Sequence, residues 1–192
     1  MARAVTLVRH GQTERSARLA YSGRMDIALT DTGRTQALRA AAALTNAGID
    51  AVITSPLVRA RDTAQAIADA TGAPLTVDAR LIEIDYNLFE GLDRAGARAK
   101  FGQAFEDWRA DPFGAPVPGM ETLPAALERA RAATAAALAA HEHPVLVAHQ
   151  GILRIVLIAL GELAPEDYFT LRLQEAEPVV VSAPVLQDAL RP

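Results

Sequence analysis

The chain has 192 residues, 51% of them apolar, enough for one compact domain that buries roughly 70% of its unfolded surface. Its 19 basic and 23 acidic residues leave a net charge of -4, which excludes nucleic acid or an anionic membrane as the main partner, since either needs a strongly positive face. Cysteine is absent, so disulfides, thiol nucleophiles and thiolate metal sites are excluded as well. The first residues lack the apolar core of a secretory signal and read as a strand, so a cytoplasmic location is expected. Val5–Val8 is the first strand, a near-continuous apolar run suited to burial on both faces. A helix follows, capped by Thr30 with Asp31 in its first turn, an inward stripe of Leu38, Ala41, Ala42 and Leu44, and Gly48 as its stop. Ala51–Thr54 is the next strand, and Arg59–Thr71 the next helix, ended by Gly72. Leu75–Val77 reads as a strand flanked by Pro74, and a further strand is expected around Leu81.

The stretch Asp111–Gly119 is rich in proline and glycine and reads better as a shaped loop over a site than as a linker. Leu123–Ala140 is an alanine-rich helix, closed by His141 and His143, and Trp108, Phe101 and Phe105 have the helical spacing of core or lid packing. Val145–Ala148 is another strand, and Ile152–Leu160 is a helix apolar nearly all round and therefore buried. That helix is far too short to span a bilayer. Val179–Val181 completes the set beside Pro178, and Pro184–Pro192 reads as a loose tail or a strap across a neighbour, with a homodimer left open. Strands alternating with helices predict an α/β fold with a mostly parallel sheet.

In such sheets ligands sit beyond the carboxyl ends of the strands. Arg9 and His10 follow the strand Val5–Val8, Ser55 and Arg59 that of Ala51–Thr54, His149, Gln150 and Arg154 that of Val145–Ala148, and Glu83 comes shortly after Leu81. Two histidines, two or three arginines and a carboxylate on one sheet edge suit a phosphoryl group. Arginine forks match phosphate oxygens, a neutral histidine is a competent nucleophile, and a carboxylic acid can protonate a leaving alkoxide. Nothing in the set requires a metal. Ser55, followed by proline and outside any nucleophile elbow, is a poor nucleophile.

The residues carrying this chemistry resemble a known family. Leu7-Val-Arg-His-Gly-Gln-Thr13, Gly23-Arg-Met-Asp-Ile-Ala-Leu-Thr30 with Gly33, Gln36 and Ala37, and Thr54-Ser-Pro-Leu-Val-Arg-Ala-Arg-Asp-Thr-Ala64 are similar to successive motifs of the histidine phosphatase superfamily, the phosphoglycerate-mutase-like proteins. Leu81–Gly91 and Val147–Arg154 resemble its remaining two. The resemblance implies a three-layer α/β/α domain with a helical cap between Leu92 and His143. It makes His10 the phosphorylated residue, Arg9, Arg59 and His149 the phosphate pocket, and Glu83 the proton donor. Gln12, Ser16, Gly23, Gln150, Glu121 and Thr122 are its further candidates for substrate or phosphate contact.

Three positions depart from the family pattern: Ser16 replaces an asparagine, Gln150 a glycine, and Asn87 a glycine whose positive φ asparagine can share. The pair His149-Gln150 and the run Glu83-Ile84-Asp85 are similar to the fructose-2,6-bisphosphatase branch. The cofactor-dependent mutases are longer and carry an adjacent arginine pair that is missing here, Arg94, Arg98, Lys100 and Arg109 being scattered among acids. Pro118–Thr122 resembles an element of the shorter phosphatases. The resemblance therefore implies a metal-independent phosphomonoesterase for a small phosphorylated metabolite, with no cofactor. A phosphoglycerate mutase, primed by 2,3-bisphosphoglycerate, and an inert phospho-ligand module are the alternatives.

Overall fold

A computed structural model describes residues 3–182. Five strands form one sheet: β1 (Ala4–Arg9), β2 (Ala51–Thr54), β3 (Leu75–Val77), β4 (Pro144–Ala148) and β5 (Pro178–Ser182), in the order β3-β2-β4-β1-β5. The first four run parallel, and β5 lies antiparallel on β1 at one edge. Seven helices accompany them: α1 (Glu14–Ala17), α2 (Asp31–Leu44), α3 (Val58–Thr71), α4 (Arg94–Phe101), α5 (Gln103–Ala110), α6 (Leu123–Ala140) and α7 (Gln150–Ala159). This is the expected mostly parallel α/β architecture of phosphoglycerate-mutase-like proteins.

Strand side chains alternate between faces, and both faces are apolar. Val5 and Leu7 of β1, with Leu146 and Ala148 of β4, join the core that contains residues of α4 to α7. Val8, Val52, Val145 and Val147 join the core of α2 and α3 on the other face. The sheet is thus the middle of three layers. Because β4 returns between β1 and β2, the carboxyl ends of all three strands adjoin. His10 N donates to Ala148 O at 2.9 Å and Ser55 N to Val147 O at 3.0 Å, so the pairing continues into the segments that carry the candidate site.

The structure corrects several expectations. In α2 the buried residues are Gly33, Ala37, Ala40, Ala41 and Leu44, and Leu38 and Ala42 face solvent. The α2–α3 seam is built mainly of small residues (Ala40 and Ala41 with Ala60, Ala64 and Ala68), with Leu44 at its end. The α2 helix also ends at Leu44, so Gly48, with φ of 71°, serves the turn beyond it. No strand forms around Leu81; Ala79–Leu81 is a short 3₁₀ turn capped by Asp78.

The segment from Leu92 to His143 does not act as one cap. Its longest helix, α6, is a layer of the core against α7, and Trp108 and Phe105 are buried among Tyr21, Phe89 and Phe169. The loop Asp111–Gly119 is shaped as expected, with Asp111 accepting from Gly114 N at 2.8 Å and Gly119 O from Asn87 Nδ2 at 2.7 Å. It sits over the core, Val117 being buried, and not over the cleft described below. Residues 184–192, expected as tail or strap, lie outside the described residues.

Candidate active site

A cleft of about 330 Å³ opens at the carboxyl edge of the sheet, and Arg9, His10, Arg59, Glu83 and Gln150 line it. His10 follows β1 directly. Its Nδ1 lies 2.7 Å from Gly11 O, an acceptor only, so Nδ1 carries the proton and Nε2 the lone pair. That Nε2 accepts from Arg59 Nε at 3.3 Å, and the same N–H is shared with His149 Nδ1 at 3.1 Å. His149 Nε2 must then be protonated and donates to Ser55 Oγ at 2.7 Å. Ser55 thus sets a tautomer and attacks nothing. The two rings stand 5.1 Å apart.

Burial, and then the charges of Arg59 and Arg9, hold the His10 pKa well below its ordinary value. For His149 burial is again the largest cause, followed by Arg59 and His10. Both imidazoles are therefore neutral at pH 7, the form a nucleophile at Nε2 needs. Arg59, 1% exposed, sends Nη1 to Met25 O at 2.6 Å and Nη2 to Gly23 O at 2.8 Å. These carbonyls fix the fork while N–H groups on both terminal nitrogens stay uncommitted. Gly23 therefore contributes its carbonyl to Arg59 as well as lining the cleft.

Backbone closeness holds this end rigid. A Cβ at Gly11 would lie 2.4 Å from Gly33 O, and one at Gly33 2.1 Å from Gln12 O, so the loop after β1 packs main chain to main chain on the start of α2. Glu83 is anchored by the start of α7: Oε1 accepts from Ile84 N at 2.8 Å and Ile152 N at 2.9 Å, and Oε2 from Gly151 N at 3.0 Å. A Cβ at Gly151 would meet Tyr86 OH at 2.5 Å and Glu83 Oε1 at 2.6 Å. The site's own side chains thus leave room only for glycine at 151, whereas Gln150 lines the cleft.

The remaining candidates divide. Arg9 donates through Nη2 to Glu175 Oε1 at 3.3 Å and through Nη1 to Leu173 O at 3.0 Å and Gln150 Oε1 at 3.2 Å, with its buried Nε unpartnered. Ser16 lines the cleft, but its hydroxyl closes a capping box with Thr13. Gln12 lies off the cleft, where its Oε1 accepts from Thr30 Oγ1 at 3.0 Å and its N–H bonds Gln36. Thr122 is the N-cap of α6, and Glu121 is held by Arg129 at 2.6 and 2.9 Å and by Arg24 at 3.3 Å. Burial alone would raise the Glu121 carboxyl, but the hydrogen bond and charge of Arg129, the N–H of Asp85 and the charge of Arg24 together bring it below the usual range. Neither of these two lines the cleft, and no residue of 92–143 does.

Its outer wall comes from Leu19–Ser22 and from Phe169 and Arg172, with Tyr86 between, residues that the motif reading passed over. Arg129 was also missed: its Nη1 donates to Arg80 O and Ile82 O, both at 2.6 Å, and so fixes the approach to Glu83. Asn87 takes the positive φ expected of it, 44°. Among the described residues no group of three or more histidine, aspartate or glutamate side chains is placed to hold a metal ion, and no helix is long and apolar enough to cross a membrane.

The family model of the histidine phosphatase superfamily (branch 1) matches residues 5–183. The chain belongs to that superfamily. A 2,3-bisphosphoglycerate-dependent phosphoglycerate mutase of Brucella ovis is 35% identical over 94% of this chain and 92% of its own length. The solved mycobacterial glucosyl-3-phosphoglycerate phosphatase, in its structure with VO3, superposes with a TM-score of 0.84 at 32% identity, covering 93% of this chain and 92% of that one. A structure described as mycobacterial hydrolase 1 gives 0.85 at 31% identity over 94% and 89%. Histidine phosphatases and mutases both move phosphoryl groups, so the similar proteins share phosphoryl transfer and divide on its acceptor.

Proposed function

We propose that the protein is a phosphomonoesterase of small phosphorylated metabolites working through a phosphohistidine on His10. The observation that carries this reading is the hydrogen bond from His10 Nδ1 to Gly11 O, which leaves Nε2 as the only ring nitrogen with a lone pair. Substrate phosphate lies against Arg9 and Arg59, and His149, buried with both ring nitrogens engaged by Arg59 and Ser55, stands behind Arg59. His10 Nε2 attacks phosphorus, the bond from phosphorus to the ester oxygen breaks, and Glu83 gives the leaving alkoxide its proton. Oε1 of Glu83 takes two backbone donors and Oε2 only one, so Oε2 is the seat for that proton. Ionised Glu83 then takes a proton from water, the hydroxide attacks phosphorus, and phosphate leaves with His10 restored. Arg59, held by two carbonyls before substrate arrives, meets the charge on the transferring oxygens without reorganising. The reading includes no metal and no cofactor.

The test is phosphate release from a panel of phosphorylated metabolites with chelator present, comparing wild type with His10→Ala. Release that survives chelator and is lost in His10→Ala supports the reading; no release from wild type refutes it. A second reading, the mutase, is favoured by the 35% identity to 2,3-bisphosphoglycerate-dependent phosphoglycerate mutases. It predicts that 3-phosphoglycerate, primed with 2,3-bisphosphoglycerate, isomerises faster than phosphate appears. The lack of an adjacent arginine pair favours hydrolysis; chain length does not separate the two readings, since the match covers 92% of the mutase's own length.

A further inference from the structure

Among the described residues Arg9 is the one arginine of the cleft whose guanidinium has a carboxylate within ion-pair distance, and it is the only cation that Glu175 has. Nη2 of Arg9 donates to Glu175 Oε1 at 3.3 Å, and both side chains are nearly buried, 11% and 16% exposed. Nη1 is spent on Leu173 O and Gln150 Oε1, and the buried Nε has no partner. Glu175 is therefore what holds Nη2. It lies off the cleft, yet an anion there opposes the phosphate that Arg9 is to bind.

A buried ion pair is ordinarily a fastening between two segments and often adds no stability over an apolar pair. Here the segments are fastened without it. Ala176 N donates to Arg9 O at 2.7 Å, residues 9 and 175 form an isolated parallel bridge, and β5 then runs along β1. Directly after Glu175 the chain takes a left-handed turn at Ala176, φ 53°, which a residue with a Cβ rarely adopts and which collects at functional sites. With its backbone already set, the Glu175 carboxylate is left to act on Arg9. Burial lowers the Arg9 guanidinium most, and Glu175 is the largest of the charges that raise it, ahead of Glu83.

We propose that Glu175 is a positioning residue for phosphoryl transfer, its carboxylate holding Nη2 of Arg9 so that the guanidinium meets the phosphate in one orientation. This rests on Arg9 taking the phosphate in the phosphomonoesterase reading and adds the residue that fixes it. The experiment measures kcat/KM for 4-nitrophenyl phosphate across the acid limb, with melting temperatures, in Glu175→Gln and Glu175→Leu, each alone and together with Arg9→Met. Glu175→Leu leaves Nη2 unheld and should lose about tenfold, the worth of one charged hydrogen bond; Glu175→Gln keeps an acceptor without the charge and should lose about threefold. Neither should lower kcat/KM further beside Arg9→Met, because the residue they act through is gone. The acid limb carries a sign. Arg9 lowers the His10 pKa, after burial and Arg59, and Glu175 is not among the charges that reach it. A loosened Arg9 moves the limb to higher pH, whereas the bare loss of an anion moves it lower or not at all. A limb that stays or moves lower, an equal fall in the Arg9→Met background, or a lower melting temperature with kcat/KM unchanged overturns the proposal. Where Glu175→Leu does not fold, Glu175→Gln decides by the same readouts. Calorimetric binding of inorganic phosphate reads Arg9 without turnover. If the ester is not hydrolysed but phosphate binds more weakly to Glu175→Gln than to wild type, only the phosphatase reading fails. Equal or tighter binding, the result of merely removing an anion from beside the pocket, overturns the positioning role.

Discussion

The inner and outer halves of the cleft are built by different rules. At the inner end His10 leaves a strand end, Arg59 a helix start and Glu83 the loop after a 3₁₀ turn, and each is buried with its hydrogen bonds set by backbone: His10 by Gly11 O, Arg59 by Met25 and Gly23 carbonyls, Glu83 by the first turn of α7. At the outer end Leu19 and Arg172 are exposed, on loops far apart in sequence. Chemistry needs atoms fixed to a fraction of an ångström, whereas recognition tolerates side chains that settle on their ligand. Breaking the inner half should therefore cost far more than altering the outer half.

The largest loss should come from His10→Gln, which keeps the volume and removes the nucleophile. At least about a thousandfold of kcat should go, and protein denatured in alkaline detergent after incubation with labelled substrate should carry phosphate in wild type and none in His10→Gln. Glu83→Gln keeps the contacts to Oε1 but cannot supply a proton, and a loss of roughly 10²–10⁴ in kcat is expected. Esters with good leaving groups, which need no proton, should recover most of the first step. A uniform loss across leaving groups would show that Glu83 only positions.

Arg59→Gln should cost roughly 10²–10³ in kcat/KM, and it carries a pH signature. Burial and the Arg59 and Arg9 charges depress His10, so removing one charge raises its pKa. The acid limb of kcat/KM should then move to higher pH; a limb that stays in place or moves lower would disprove the electrostatic link. The same depression acts on stability. The unfolded chain takes up protons on its histidines below about pH 6.5 while folded His10 and His149 stay neutral. Their contribution to stability is thus whole above that pH and is lost as pH falls through it, which melting temperatures between pH 7 and 5 should show.

A smaller effect tests whether the inner half is held from behind. Arg129 ties Glu121 to the carbonyls of Arg80 and Ile82, just before Glu83. Arg129→Met should lower kcat about tenfold with KM little changed, together with a few kcal/mol of stability from the partners left unpaired. A loss of stability alone would remove Arg129 from the positioning of Glu83.

The two halves also differ in how they are written in the chain. His10, Arg59 and His149 sit in short motifs at or just beyond strand ends, so an α/β reading that placed β1, β2 and β4 brought them together before any coordinates, whereas Glu83 was added through a strand around Leu81 that does not form. Arg172 and Phe169 belong to no local pattern; they reach the cleft because Arg9 and Arg154 capture carbonyls some 17 to 164 positions away, a pairing that periodicity does not record. Leu38 failed for a related reason. The expected stripe of Leu38, Ala41, Ala42 and Leu44 holds at Ala41 and Leu44, but α2 turns Ala37 and Ala40 inward in place of Leu38 and Ala42, and which residues meet α3 is decided by tertiary packing.

The smallest expected effect concerns Thr122, which the motif reading set near the phosphate and the structure sets at the start of α6, accepting from Ala125 N at 3.3 Å. Thr122→Ala should cost about 1 kcal/mol of stability, the ordinary worth of an N-cap, and leave kcat/KM within about twofold. Urea denaturation beside steady-state kinetics separates the two. A fall in kcat/KM beyond that, with stability unchanged, would mean that the hydroxyl turns to substrate once it binds. The boundary of the outer half would then have to be redrawn to take in the loop before α6, because the Thr122 hydroxyl, which keeps its O–H free while it caps the helix, lies off the cleft in its present place.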